Sequence, residues 1–191
     1  ASFDELLEIQ DLETSKKFFG GFAKVLNAMR TCGKIVVVRV QGKTTGGGVG
    51  IACGADYCFA TQDSALALTE LNLGIGPFVI GPYVERKIGK SQFGAMAIDA
   101  DFRSAEWAEQ HNIYHSVSSS IAEMDEKIKT FLKTLSGRSD EALALIKQVS
   151  WEGTEYFNDL MPARIHMSAS LILEDSAKQN IAKIKERLRA K

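Results

Sequence analysis

Apolar side chains at Leu12, Phe19, Phe22, Leu26 and Met29 fall three, four or seven positions apart and so share one helical face, predicting helix over residues 3–30. Ser2 and Glu5 have the spacing of a capping box at its start, and Cys32-Gly33 marks its end. KIVVVRV, residues 34–40, is β-branched and almost continuously apolar, which predicts a strand covered on both faces. A glycine-rich segment comes next, then IACGAD, whose small side chains suit a short helix packed very close to its neighbours. YCFAT and ALALT read as two short strands, and residues 70–89 as a loop leading into a helix that ends near Gly89. SAEWAEQHN, from Ser104, reads as another short helix. Beyond about residue 120, IAEMDEKIKTFLKTL, SDEALALIKQVSW and EDSAKQNIAKIKERLR are amphipathic helices with no strand between them. The expected organisation is an α/β part over residues 1–119 and an all-helical region over 120–191.

Composition narrows the class only a little. With 45% hydrophobic and 25% charged residues in 191, the chain is ordinary globular material, long enough for a real core. Its 23 basic and 24 acidic residues give a net charge of −1, so no attraction to nucleic acid or to a membrane surface is written into the totals. No apolar run approaches a membrane span. Cys32, Cys53 and Cys58 lack zinc-ligand spacing and read as buried free thiols of a cytoplasmic protein. His111, His115 and His166 have no partner motif, so no metal site is expected.

Chemistry concentrates in VRVQGKTTGGGVGIACGAD, residues 38–56. Gly42-Lys43-Thr44 ends like a phosphate-binding loop, but the first glycine of that pattern would fall at Val37, inside a strand. The dinucleotide pattern fails as well, because Cys53 stands at its last glycine; the GKT is expected to be a polar turn. Gly46-Gly47-Gly48 between a strand and a helix offers something else. Glycine lets backbone approach a ligand closely, and a helix start presents unpaired N–H groups and the positive end of its dipole. That combination suits a negative or developing-negative oxygen, as in an oxyanion hole. A tight turn without ligand would look the same. Glu70, after the strand ALALT and in apolar company, is a candidate general base, though a surface carboxylate would also fit.

These segments resemble the crotonase superfamily, the enoyl-CoA hydratase/isomerase family. The likeness runs without gaps through residues 34–89: TGGGVGIACGADYCFA has the family's glycine turn, helix and subsequent Asp56, and ALTELNLGIGP has its carboxylate segment followed by G-x-x-P. KIGKSQFGAMAI and DFRSAEWAEQHNIYHSV resemble the stretches beyond. The resemblance implies a fold of α/β class, a crotonase-like spiral of ββα turns followed by a C-terminal all-helical region. It implies an acyl-CoA substrate, with coenzyme A as part of the thioester and no prosthetic group. It also implies a homo-oligomer, a trimer or dimer of trimers with C-terminal helices at the contacts. Carried over by position, the N–H of Gly47 faces the thioester oxygen and Glu70 moves protons at the α-carbon, with Gly46, Gly48, Gly50, Pro77 and Phe78 around the substrate.

The departures refine the expectation. Hydratases of the family carry a second glutamate two residues beyond GGG, where this chain has Gly50. Two carboxylates activate a water; one can take a proton and return it. Phe78 stands where the family has glycine and is expected to fill space near that water. Ala1-Ser2 resembles the end of a turn that donates the second oxyanion N–H, so the expectation is either a longer native chain that supplies that donor or an incomplete oxyanion hole. The favoured reading is double-bond isomerisation of an enoyl-CoA with Glu70 as sole acid/base. Hydration at an altered water site, decarboxylation, thioester hydrolysis and a non-catalytic CoA-binding or oligomer-forming role are the alternatives.

Overall fold

A computed structural model describes residues 3–189, so Ser2 and the capping box expected there lie outside the described residues. Helix α1 is Phe3–Glu8 and α2 is Leu12–Thr31. The single helix expected over residues 3–30 is therefore two. Asp11 breaks it, with extended backbone and a side chain that accepts the Thr14 N–H at 2.8 Å as an N-cap. Strands β1 (Val37–Val40) and β2 (Lys43–Thr45) lead into α3 (Gly47–Gly54), and β3 (Tyr57–Thr61) and β4 (Ala65–Ala67) lead through a 3₁₀ turn, Glu70–Leu73, into α4 (Gly81–Asp99). Two successive ββα turns result. Their first strands pair in parallel, Val37 with Tyr57 through Val40 with Ala60, and so do their second strands, Lys43 with Ala65 through Thr45 with Ala67. The chain thus winds as a spiral between two three-stranded sheets. Strand β6 (Ser116–Ser118) extends the first in parallel, and β5 (Arg103–Ser104) closes the second antiparallel.

Three local expectations change. Lys43, Thr44 and Thr45 form β2 rather than a turn, and only Gly42 bends the chain before them. Strand β1 is not covered on both faces: Arg39 is exposed and reaches Asp125 of α6 (Ile121–Ser136) at 2.6 Å. Cys32 is exposed, while Cys53 and Cys58 are buried free thiols. Gly89, at φ 77°, interrupts α4 near the end expected from the sequence.

Beyond α5 (Ala105–Gln110, capped by Ser104) and α6 come α7 (Asp140–Ser150), α8 (Phe157–Leu171) and α9 (Asp175–Arg189). The sequence pattern assigns no element where α8 forms, a stretch in which Asn158, Asp159 and an internal Pro162 weaken the helical signal. These helices complete the cores rather than standing apart. Trp151 and Phe157 join Leu26, Leu66, Tyr83 and Val84 in the main core, and Ile172, Ala177 and Ile181 join Leu6, Ile9 and Ile75 in a second. None of the described helices is long and apolar enough to cross a membrane.

A buried polar hub fastens the two parts of the chain. Lys147 of α7 is only 3% exposed, and its three donors reach Met29 O at 2.6 Å, Lys34 O at 2.8 Å and Asp56 Oδ2 at 2.9 Å. Asp56 also accepts the Val36 N–H and the Trp151 indole N–H, each at 2.7 Å. Every charge here has partners, so removing one member leaves an uncompensated ion in the interior. Lys147→Met is expected to cost about 3–5 kcal/mol in urea unfolding. Asp140→Ala, which breaks the Lys34–Asp140 pair whose side chains are 74% and 80% exposed, should cost less than about 1 kcal/mol.

Candidate functional site

Parallel pairing of β2 with β4 brings their carboxyl ends to one edge, and the turns that leave the two strands meet there. Gly46 comes one residue after β2 and Glu70 three after β4. The Gly46 N–H donates to Ala67 O at 3.1 Å, tying the triglycine turn to the end of β4. At φ 51°, ψ −118°, Gly46 has backbone that favours glycine, and a β-carbon there would sit 3.1 Å from Glu70 Oε1. A side chain there would crowd the carboxyl group and strain the backbone.

Helix α3 begins at the next residue. Its Val49 and Gly50 N–H groups donate to Gly46 O at 2.9 and 3.2 Å. The N–H groups of Gly47 and Gly48, the first two of the helix, bond to none of the described residues, as expected at a helix start. They carry the positive end of the helix dipole to the same edge as Glu70.

Glu70 opens its 3₁₀ turn with a side chain directed inward. Its Oε2 is inaccessible to water and has no hydrogen-bond partner among the described residues. Burial pushes its carboxyl up to about 7, opposed only in part by a hydrogen bond from its own backbone N–H. The group therefore sits near its midpoint at neutral pH.

Turn and carboxyl face a cavity of about 570 Å³. Helix α2 forms one wall through Phe18, Phe19, Phe22 and Val25, and the loop from Ile75 to Ile80 forms another. The Phe22 ring lies 3.0 Å from where a β-carbon of Gly47 would be. Among the described residues, Glu70 is the only ionisable group lining this space.

Of the residues singled out in the sequence, Glu70, Gly46, Gly47, Gly48, Pro77 and Phe78 line the cavity together. Gly50 does not. It is buried beneath Ile80, whose Cγ2 lies 2.5 Å and Cβ 2.9 Å from where its own β-carbon would be. The expected filler of that space also changes, since Ile80 covers Gly50 whereas the Phe78 ring folds back over Gly76. Phe19 and Phe22, whose spacing points to a core face, pack against the cores and form cavity wall as well. Nothing in helical periodicity distinguishes a face against a core from a face against an empty pocket.

Comparison with known proteins gives a consistent picture. Residues 2–191 match the family described as enoyl-CoA hydratase/isomerase. A trans-2-decenoyl-[acyl-carrier-protein] isomerase of Streptococcus mutans serotype c is 25% identical over 172 residues, covering 88% of this chain and 64% of the relative. A bacillaene synthase dehydratase of Bacillus subtilis is 25% identical over 114 residues, covering 60% of this chain and 43% of that one. The chain thus spans less than two thirds of the length of either. The crystal structure of an enoyl-CoA hydratase from Bacillus halodurans superposes with a TM-score of 0.85 at 18% identity, over 95% of this chain and 74% of the other. With the ββα spiral and the triglycine helix start in place and the match extending over residues 2–191, the chain belongs to the enoyl-CoA hydratase/isomerase family.

Proposed function

We propose that the protein moves a double bond in an enoyl thioester carried by coenzyme A, with Glu70 as its single acid/base. The Glu70 carboxylate takes a proton from C2 of a 3-enoyl chain, and the electron pair moves onto the thioester oxygen. The N–H of Gly47 receives that oxygen at the positive end of α3, a contribution of roughly 3–4 kcal/mol for one well-placed donor. The same carboxyl group then returns its proton to C4, giving the 2-enoyl product with no other reactant consumed. The apolar wall from Phe18 to Val25 takes the acyl chain, with Gly46, Gly48, Pro77 and Phe78 around the reacting end.

One observation carries the choice among reactions of this family: Ile80 closes the space over Gly50. A second carboxylate there would have to displace a buried branched side chain, so the site has one proton carrier and a dry wall where a water-activating group would stand. The relative from Streptococcus mutans, an isomerase by name, agrees with this choice. The dehydratase relative matches over a shorter stretch and keeps hydration as the competing reading. Incubation with 2-enoyl-, 3-enoyl- and malonyl-type CoA esters separates them. Interconversion of the 3-enoyl and 2-enoyl esters without hydroxyacyl product is expected, and hydroxyacyl-CoA or decarboxylated product would overturn the assignment.

The protein is further inferred to be a homo-oligomer, a trimer or dimer of trimers. Leu145 and Val149, exposed and four residues apart on α7, offer an apolar face for such contacts. Light scattering that reports a monomer at micromolar concentration would remove this part of the reading.

Two predictions concern Glu70. Because proton abstraction needs the ionised form, the isomerase rate should rise with pH through a single inflection at about 7. Glu70→Gln should lower kcat by about 10²-fold or more while leaving the fold intact.

Stability should move the other way. The folded-state value lies above the ordinary 4.5, so both states are protonated below that value and burial of the carboxyl costs nothing in charge. Between about 4.5 and 7 the unfolded chain ionises first, and stability falls as pH rises, by about 3 kcal/mol in total. Urea unfolding at about pH 4 and about pH 8 should show this loss in the native protein and its absence in Glu70→Gln. Equal pH dependence in the two proteins would mean that the carboxyl is solvated.

A further inference from the structure

A second cavity, of about 350 Å³, lies away from Glu70, where α4 and the start of β3 face α6 and α7. Ile35, Phe131 and Leu135 give it apolar walls, and Arg86, Lys87 and His115 give it a basic one. The reaction proposed above uses none of these residues.

The hydrogen bonds around His115 fix a proton. The Cys58 N–H donates to His115 Nδ1 at 3.0 Å, so that nitrogen carries a lone pair and the single proton of the neutral ring is on Nε2. A ring proton on both nitrogens would set Nδ1–H against the Cys58 N–H. His115 Nε2 lies 3.2 Å from Lys87 Nζ. An ammonium group has three donors and no lone pair, so it cannot accept from Nε2–H. The contact is a hydrogen bond only if Lys87 is an uncharged amine. Tyr57, stacked on the imidazole with ring centres 4.9 Å apart, keeps the ring in this orientation.

The surroundings favour the same state. Burial lowers Lys87 below the ordinary lysine value and the neighbouring Arg86 guanidinium adds to this, while Cys53, Cys58 and Asp56 act in the opposite sense. Burial is the main cause that holds His115 down at about 4, so the imidazole is neutral and has a single ring proton. The Asp56 carboxylate is engaged by Lys147 at 2.9 Å. Arg86 is held elsewhere, with its guanidinium 3.9 Å above the Trp151 ring and donating to Ser150 O at 2.6 Å.

We propose that Lys87 is an uncharged amine in the resting protein and that this cavity is an acyl-acceptor site, its Nζ taking the acyl group of a short-chain thioester. The Nζ lone pair attacks the thioester carbonyl carbon, a C–N bond forms and the C–S bond breaks. The sulfur leaves as a thiol with the proton shed by the nitrogen, and the product is a neutral amide whose short chain lies against Ile35, Phe131 and Leu135. No oxidant or further reactant is required. The proposal does not rest on the reaction at Glu70, which occupies a different cavity.

The test uses S-acetyl-N-acetylcysteamine at about pH 7, with acetylation at Lys87 and at the exposed Lys90 of the same helix quantified by peptide mass spectrometry. An ordinary lysine is uncharged in roughly one molecule in 2,500 at that pH, so Lys87 should react at least about tenfold faster than Lys90. The ratio should fall as pH approaches about 10.4, and should drop to near one in urea-unfolded protein. A ratio near or below one in the folded protein, or one that survives unfolding, overturns the proposal. Nitrogen NMR of the His115 ring provides a second readout independent of reagent access. A protonated Nε2 and bare Nδ1 are expected, and a proton on Nδ1 would remove the basis for an uncharged Lys87.

Discussion

Close approach of backbone to side chain at the start of α3 is the constraint on which the site depends. A β-carbon at Gly48 would sit 2.8 Å from Thr44 Cγ2, one at Gly46 would sit 3.1 Å from the Glu70 carboxyl, and one at Gly50 would collide with Ile80. The strands fix where this crowding occurs. Because β2 and β4 run parallel in register, Thr45 opposite Ala67, the turn after one strand and the carboxyl after the next have no freedom to separate. The crowding leaves no room for a side chain on the Gly46 side of the carboxyl, and Glu70 Oε2 is itself inaccessible to water. The raised proton affinity of Glu70 thus begins in the alternation of short strands and small residues.

The ββα winding of residues 34–89 is implied by the family resemblance; the local pattern gives β1, β3, β4 and the triglycine helix start but makes a turn of Lys43–Thr45, which is strand β2. Where the cues conflict, the reading failed. Asn158, Asp159 and Pro162 weaken the helical signal, yet α8 forms, since burial of Phe157, Ser168 and Ala169 outweighs local preference. The break at Asp11 had a signal in the Asp11-to-Thr14 spacing, which the continuous apolar face of the surrounding residues concealed. Lys147, on an amphipathic helix, looks like a solvated residue and is among the most buried charges of the molecule. No single-sequence pattern reports that three carbonyl or carboxylate oxygens converge on one ammonium group.

The candidate site divides in the same way. Gly46, Gly47, Gly48 and Glu70 stand out as candidates in the sequence because glycine content and strand ends are local properties, while their roles come only from the family resemblance. Ile80 over Gly50 does not stand out, because the contact joins the N-terminal turn of α3 to the approach of α4, thirty positions away, and depends on which of several adjacent apolar residues turns inward. Phe78, Val79 and Ile80 are interchangeable in a hydrophobicity pattern and have different places in the molecule.

Asp56 and the proposed acid/base Glu70 are two carboxyl groups in opposite surroundings. Both stand beside short strands in apolar sequence, and neither is marked by its neighbours in the chain. In the folded protein Asp56 has a lysine ammonium, a backbone N–H and an indole N–H, so its charge is compensated and its position fixed. Glu70 Oε2 has no partner among the described residues, and the burial of the carboxyl is offset only in part, by its own backbone N–H. The first arrangement holds the helical region on the spiral; the second leaves a carboxyl group able to give or accept a proton at little cost near neutrality. Partner count inside the fold, rather than residue type or position in the chain, separates the two groups.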